Sequence, residues 1–339
     1  MPVPDVSVRA ALTGAARDHH ALTDAEAVVL LGADGEDLEE LAALADAVRR
    51  DRLGDALTFV VNRNLDGTLV GADPGHVRDL VREAAALGAT EVCVQGAVPA
   101  AAGAEGYLRL VEVVASAAPG IHLHAFRVPE VLDAAGRRGS SVREFLLAAR
   151  DAGLGSVPGT AAKVLDDDVR TVLNDGVADL PVARWLEVVT TAHEVGLTST
   201  STLVHGGPET PAQQVAHLRL LADTAARTQG FTEFIAMPSP AGPSPRAVRA
   251  LHAVARLLLD GRIDHVQAAW PKHGLDLTKQ LLRGGADDLG GLLLDGSLDP
   301  SAGQEQGTTL TRADAAALAE RLGRPLRQRT TRYGDPVRP

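Results

Sequence analysis

Four stretches of this chain place polar side chains in or directly beside an apolar run, and such positions can do chemistry. "LTFVVNRNLDG" sets Asn62, Arg63 and Asn64 directly after Val60 and Val61, "IHLHAF" aligns His122 and His124 on one strand face, and "FTEFIAMP" and "VQAAWPKHG" add Glu233 and Lys272. An imidazole, a carboxylate and an amine can pass protons, and positioned acid–base groups commonly contribute about 10²–10⁴-fold to a rate. His124, Glu233 and Lys272 are therefore the candidate catalytic residues. The two histidines with Glu233 could instead ligate a metal, but one strand supplies too little of the geometry zinc requires, so no metal is expected. Lys272 follows Trp270 at a strand end, where a desolvated lysine can form a Schiff base. A salt bridge or a substrate contact is its expected role.

These residues need elements to hold them, and the apolar pattern supplies eight candidate strands: "LTFVVNRN", "TEVCVQG", "IHLHAF", "GLGSVPG", "LTSTSTLVHG", "FTEFIAMP", "DHVQAAW" and "LGGLLLDG". Amphipathic helical stretches such as "GHVRDLVREAAALG" and "SVREFLLAARDAG" lie between them, each ending on a glycine suited to a left-handed C-cap. Eight alternating βα units predict an α/β fold, a (β/α)8 TIM-type barrel over residues 56–310. Residues 1–55 read as an N-terminal helical extension, with a capping box at Thr23 and Glu26. Residues 311–339 read as a C-terminal helix and an Arg-rich tail packing on the barrel. In such a barrel the loops after the strands share one face, so polar strand ends converge at the C-terminal mouth.

Composition narrows the partner. A chain of 339 residues, 45% hydrophobic, can bury a barrel-sized core. A net charge of -11 opposes nucleic acid and anionic membrane as partners, because phosphate calls for a basic face. No apolar run approaches the length of a membrane span, and no leader-like segment opens the sequence, so a cytoplasmic location and a small-molecule ligand are expected. One cysteine, Cys93, excludes an internal disulfide and any cysteine-only metal site within the chain. It lies inside the second strand, where a small buried packing role is expected. No Walker motif, G-x-G-x-x-G, nucleophile elbow or H-E-x-x-H stretch is present. Gly290-Gly291 and the "HGGPE" turn offer only weak phosphate-binding signals.

At the strand ends a resemblance appears. "FVVNRN", "GATEVCVQG", "HLHAF", "SVPGTAA", "RWLEVVTTAHEVGLTSTSTLVHG", "GFTEFIAMP", "VQAAWPKHG", "DDLGG" and "RQRTTRY", in order from about residue 20 to 335, resemble the deazaflavin (FO) synthase family of radical SAM enzymes, especially its second subunit. Menaquinone enzymes of the futalosine route share several of these patterns. The resemblance implies a radical SAM kind of barrel. It also implies a reaction that joins a tyrosine-derived phenol fragment to a ribitylaminouracil, with an iron–sulfur cluster cleaving S-adenosylmethionine (SAM). In the family that cluster sits on a C-x-x-x-C-x-x-C loop after the first barrel strand, which this chain lacks: Asn64 leads through "LDGTLV" to the helix start at Pro74. A cubane cluster needs thiolate ligands, so no iron–sulfur cluster is expected.

Other positions depart too. The family's "QGG" reads Gln95-Gly96-Ala97, its "GTAAE" glutamate is Lys163, "YGHVE" has become His205 through Glu209, and "HAFSP" has become "HAFRVP", placing Arg127 at the mouth. The candidate ligand-binding set is Asn62, Arg63, Asn64, Gln95, Arg127, Thr160, Lys163, Thr200, Thr202, His205, Glu209, Trp270 and Asp288. Burying such groups costs about 1–3 kcal/mol for each one left unpaired, so their presence suggests a network or a ligand. The expectation is a degenerate family member that binds ribitylaminouracil, tyrosine, the deazaflavin or SAM, as an accessory protein beside a cluster-containing radical SAM paralogue. The alternative is a non-radical transferase, lyase or isomerase using His124, Glu233 and Lys272.

Overall fold

The eight apolar runs form strands that close on themselves. The computed structural model describes residues 7–68, 73–293 and 310–336. The strands are β1 Leu57–Asp66, β2 Glu91–Gln95, β3 His122–Ala125, β4 Leu154–Val157, β5 Thr198–His205, β6 Phe231–Pro238, β7 Val266–Gln267 and β8 Asp288–Leu293. All pair in parallel with their sequence neighbours, and β1 pairs with both β8 and β2, completing a (β/α)8 barrel. Parallel strands covered on both faces are apolar on their helix side, as Val92, Val94, Leu123 and Phe234 are here, each at most 1% exposed. Burying a side chain of this size contributes about 1.5–3 kcal/mol.

Local chemistry sets where the covering helices begin and end. Asp73 caps the Pro74–Ala86 helix by accepting from Gly75 N at 2.9 Å and His76 N at 3.1 Å, with Pro74 supplying a preset φ. Ser141 with Glu144, and Thr210 with Gln213, form capping boxes that start the Val142–Ala152 and Pro211–Thr228 helices. Gly153, at φ 119, stops the former with a left-handed turn.

The expected N-terminal extension consists of three helices, Val8–Arg17, Asp24–Leu31 and Gly35–Leu53, and the Thr23–Glu26 capping box is present. Its consequence is visible on the barrel helix Pro245–Leu259, which has 11 buried residues, far more than the single inward stripe of an ordinary barrel helix. The extension covers its outer side, and Arg246 Nη1 donates to the carbonyls of Leu31 and Ala33.

After helix Arg312–Leu322, a ninth strand, β9 Leu326–Gln328, was not anticipated. It pairs with Leu57–Phe59 of β1, the part of β1 below its pairing with β2, which begins only at Asn62. The chain then turns into the N-terminal end of the barrel. Arg329, Thr331 and Tyr333 of the tail thus bring side chains to the carboxylates of the barrel interior, while Arg327, Arg332 and Asp335 remain exposed.

Candidate functional site

The barrel lumen holds two polar regions, one at the strand starts and one at the strand ends. At the starts, Arg329 reaches in from the tail and binds two carboxylates. Its Nε donates to Asp288 Oδ2 at 2.6 Å, and its Nη2 to Asp288 Oδ1 at 2.8 Å and Glu233 Oε2 at 3.0 Å. Tyr333 adds a hydroxyl donated to the same Glu233 oxygen at 2.6 Å, and Thr331 donates to Glu91 Oε2 at 2.5 Å. Thr58 Oγ1 donates to Asp288 Oδ2 at 2.6 Å, and Gln267 Nε2 to Glu233 Oε2 at 3.1 Å. Arg329, Asp288, Glu233, Glu91, Thr58 and Thr331 are almost fully buried, and Tyr333 and Gln267 are half-buried.

The electrostatics follow from that burial. Loss of water pulls the Arg329 guanidinium down, but Asp288 and Glu233 outweigh it and hold it well above its ordinary range, so it stays charged. Burial raises the Glu233 carboxyl, and the neighbouring Asp288 and Glu91 add to this despite Arg329. Burial likewise keeps the Tyr333 hydroxyl protonated and able to donate.

Above this layer Cys93 Sγ donates to Glu91 Oε1 at 2.9 Å, and Asn62 Nδ2 lies 3.5 Å from the sulfur. His122 Nε2 and His124 Nδ1 both meet Ser156 Oγ, at 2.7 and 2.6 Å. Burial depresses both imidazoles, His122 to about 4. Both are hydrogen-bonded within the barrel.

The mouth is built differently. Asn62 Oδ1 and Thr160 Oγ1 are buried and find no hydrogen-bond partner among the described residues, whereas His205, which shares the strand parity of Leu203, turns to the helix side near His252 and His273 and is not brought to the mouth. Gly291 makes room for the first, since a Cβ there would stand 2.1 Å from Asn62 Oδ1. Phe126, Lys163 and Ala269, which follow β3, β4 and β7, have φ of 66°, 48° and 39°, a region that non-glycine residues avoid. Strained backbone held at several strand ends is a feature of ligand clamps. Burial holds the His205 imidazole down at about 4, leaving it neutral. Gln95 is exposed at the rim, and Asn64 and Lys272 are half-buried there. Arg127 Nε donates to Glu130 at 3.0 and 3.1 Å, and Lys163 pairs with Asp179 at 2.8 Å.

Several expected site residues point elsewhere. Arg63 has the opposite strand parity to Asn62 and Asn64, so it faces out, donating to Leu80 O at 3.1 Å and Glu83 Oε2 at 2.6 Å beneath the Pro74–Ala86 helix. Glu233 and Asp288 sit near the starts of their strands, so they belong to the Arg329 layer and not to the mouth. His124, Glu233 and Lys272 are therefore not brought together, because Lys272 lies beyond the end of β7. Thr200 and Thr202 clamp the backbone of one residue: Thr200 Oγ1 accepts from Gly159 N and Thr202 Oγ1 donates to Gly159 O, both at 2.9 Å. Glu209 closes its own turn by accepting from Gly206 N and Gly207 N, at 2.7 and 3.0 Å. Trp270 Nε1 donates to Gly291 O at 2.9 Å, tying helix to strand.

Sequence reasoning missed Glu91, Ser156, Arg329, Thr331 and Tyr333. The "RTTRY" string belongs to the family resemblance, but nothing in its local pattern gives its destination. Two cavities also flank the inserted tail at the N-terminal face, about 1150 Å³ beside Phe59, His122, Arg327 and Arg332, and about 400 Å³ beside Phe231, His265 and Tyr333.

The only thiol is 7% exposed, in the barrel wall, and engaged with Glu91. The connection 67–73 after β1 offers no cysteine or histidine. The residues present do not fit a cubane at the mouth. Among the described residues, no helix is long and apolar enough to cross a membrane.

No family model matches the chain. It is 45% identical over 362 positions to FO synthase of Mycobacterium tuberculosis, covering 97% of this chain and 42% of that protein. FO synthase of Nocardia farcinica matches at 42% over 363 positions with the same coverage, so the chain spans less than half the length of these relatives. The 362 aligned positions exceed the chain's 339 residues, so the relative carries residues with no counterpart here. The 5-amino-6-(D-ribitylamino)uracil–L-tyrosine 4-hydroxyphenyl transferase of Methanoculleus marisnigri is 35% identical over 347 positions, covering 93% of this chain and 94% of the transferase. In structure, methylornithine synthase (PylB) superposes with a TM-score of 0.67 at 15% identity, covering 96% of this chain and 97% of that one. The hydrogenase maturase HydG of Carboxydothermus hydrogenoformans gives 0.72 at 12% identity, with 96% and 80% covered. These two establish the barrel fold alone.

Proposed function

Because the chain belongs to the family of FO synthases and ribitylaminouracil–tyrosine hydroxyphenyl transferases, we infer that it is a cluster-free member that binds a small polar ligand of that family's chemistry at the C-terminal mouth of its barrel. The carrying observation is the pair of buried, unpartnered polar atoms on Asn62 and Thr160. Each orphaned group costs about 1–3 kcal/mol, which a ligand or bound water would recover. Ribitylaminouracil, tyrosine, the deazaflavin and SAM all carry the amide, hydroxyl or amino groups such atoms can meet. The protein acts as an accessory or repurposed component, with a cluster-containing paralogue as its partner.

This reading rests on the donor set. Radical cleavage of SAM needs a four-iron cluster held by three thiolates with one iron left open for SAM, and one buried thiol bonded to Glu91 cannot supply them.

A thermal-shift panel with the four ligands is the test. A true ligand at about 100 times its Kd should stabilise the fold by about 2.7 kcal/mol. Asn62→Ala should weaken that binding by about 1–3 kcal/mol. Absence of a shift with all four ligands would sink the ligand-binding half of the proposal. Anaerobic reconstitution with iron and sulfide addresses the other half, where a stoichiometric brown chromophore would overturn the cluster-free assignment.

A further inference from the structure

Two consecutive histidines form a second constellation, far in sequence from the mouth. His19 and His20 lie in a single 3-10 turn, His19–Ala21, between the first two helices of the extension. Asp18 caps that turn by accepting from His20 N at 3.0 Å. Adjacent side chains usually diverge, yet this tight turn brings the two imidazole centroids within 4.1 Å. Both Nε2 atoms converge on one atom of a third residue, Asp260 Oδ2, at 3.0 Å from His19 and 3.5 Å from His20. The three ligand atoms lie within 4.8 Å of one another.

We propose that His19, His20 and Asp260 form a binding site for a borderline divalent cation, zinc by preference, pinning the N-terminal extension to the barrel. Two imidazole nitrogens and a carboxylate oxygen are the donors such an ion selects. Bonds of about 2.0–2.1 Å in a tetrahedron place ligand atoms about 3.3 Å apart, and the two measured separations bracket that value. A plain hydrogen bond accounts for His19, but His20 is 59% exposed and gains little from sharing an oxygen that is already engaged.

The surroundings are arranged as a metal site requires. Asp260 terminates the Pro245–Leu259 helix, and its side chain is only 6% exposed. Arg52 fixes the carboxylate from behind, with Nε on Oδ1 at 3.0 Å and Nη2 on Oδ2 at 3.3 Å, the orienting role outer-shell partners play. Its charge is itself offset by Asp264, 3.6 Å away, and by Asp51, so the neighbourhood is negative before a cation arrives. The exposed side of His20 leaves room for water as a fourth ligand.

The test uses the full chain without an affinity tag and cobalt(II) as a spectroscopic probe. A saturable visible d–d spectrum with one cobalt per chain is expected, displaced by zinc, and zinc should raise Tm. His20→Ala, at an exposed position, should lose both signals with its circular dichroism unchanged. His19→Ala serves as a second variant. The proposal is overturned if the native chain shows no saturable spectrum. It is equally overturned if His20→Ala and His19→Ala bind cobalt as well as the native chain, which would place the ion elsewhere. Neither readout involves the mouth or its ligand.

Discussion

Arg329→Met should cost the fold about 3–5 kcal/mol near neutral pH, the usual loss when one partner of a buried ion pair is removed. Methionine keeps most of the side chain's length but leaves Asp288 and Glu233, 0% and 5% exposed, without their cation. Against a typical total of 5–15 kcal/mol, that is a large fraction. The pH dependence gives the argument a second handle. The Glu233 carboxyl is already raised in the folded protein, and losing Arg329 raises it further. A raised folded-state pKa stabilises below the unfolded value, and that contribution disappears as pH climbs through the folded one. The gap between native and variant should therefore be widest near neutrality and narrow on acidification. Urea unfolding followed by fluorescence of the buried Trp185 and Trp270, at about pH 7 and about pH 5, measures it. Adding Glu233→Gln to the variant removes one uncompensated charge and should recover about 1–2 kcal/mol of the loss, a coupling within the range seen for contacting residues. A deficit below about 1 kcal/mol, or one equal at both pH values, would refute the assignment of this layer as a buried charge network.

Further consequences are as direct. Burial holds His217 and His252 down at about 3 and His205 at about 4, so each carries stability that is present above the ordinary value of 6.5 and lost as pH falls below it. Each should cost about 1.4 kcal/mol per pH unit between those limits, and a urea midpoint unchanged from pH 7 to pH 5 would contradict this. Gly159→Ala puts a Cβ 2.1 Å from the Thr200 carbonyl oxygen, so Tm should fall, by about 1–3 kcal/mol of stability, together with ligand affinity at the neighbouring Thr160. Cys93 should react with a thiol reagent only at the rate of unfolding, whereas rapid labelling of the native protein would show a thiol more accessible than its buried place between Asn62 and Glu91.

The strands were legible because parallel strands covered on both faces read as short apolar runs bounded by glycine, and all eight appear where such runs stand. The helix starts were legible for an equally local reason, the Thr23–Glu26 box being an example. Side-chain direction needed one more step. The period of two already separates Arg63 from Asn62 and Asn64, and the distance of Glu233 and Asp288 from their strand ends already removes them from the mouth. What could not be read was the destination of the tail. Arg329 finds partners 41 and 96 residues away, and no local periodicity encodes a charge that satisfies strands so distant in sequence. The orphaned atoms of Asn62, Thr160 and His205 are likewise a property of packing, visible only when neighbours are in place.

Because Arg329 arrives after every strand it neutralises, the order of synthesis matters. A nascent chain that has just completed β8 possesses every stave of the barrel, yet Glu91, Glu233 and Asp288 still lack the tail residues that bond them. Such a partial product is penalised by desolvated carboxylates until the last few dozen residues follow it. A polypeptide that stops short of Arg329 leaves Asp288 and Glu233 without the cation that binds both.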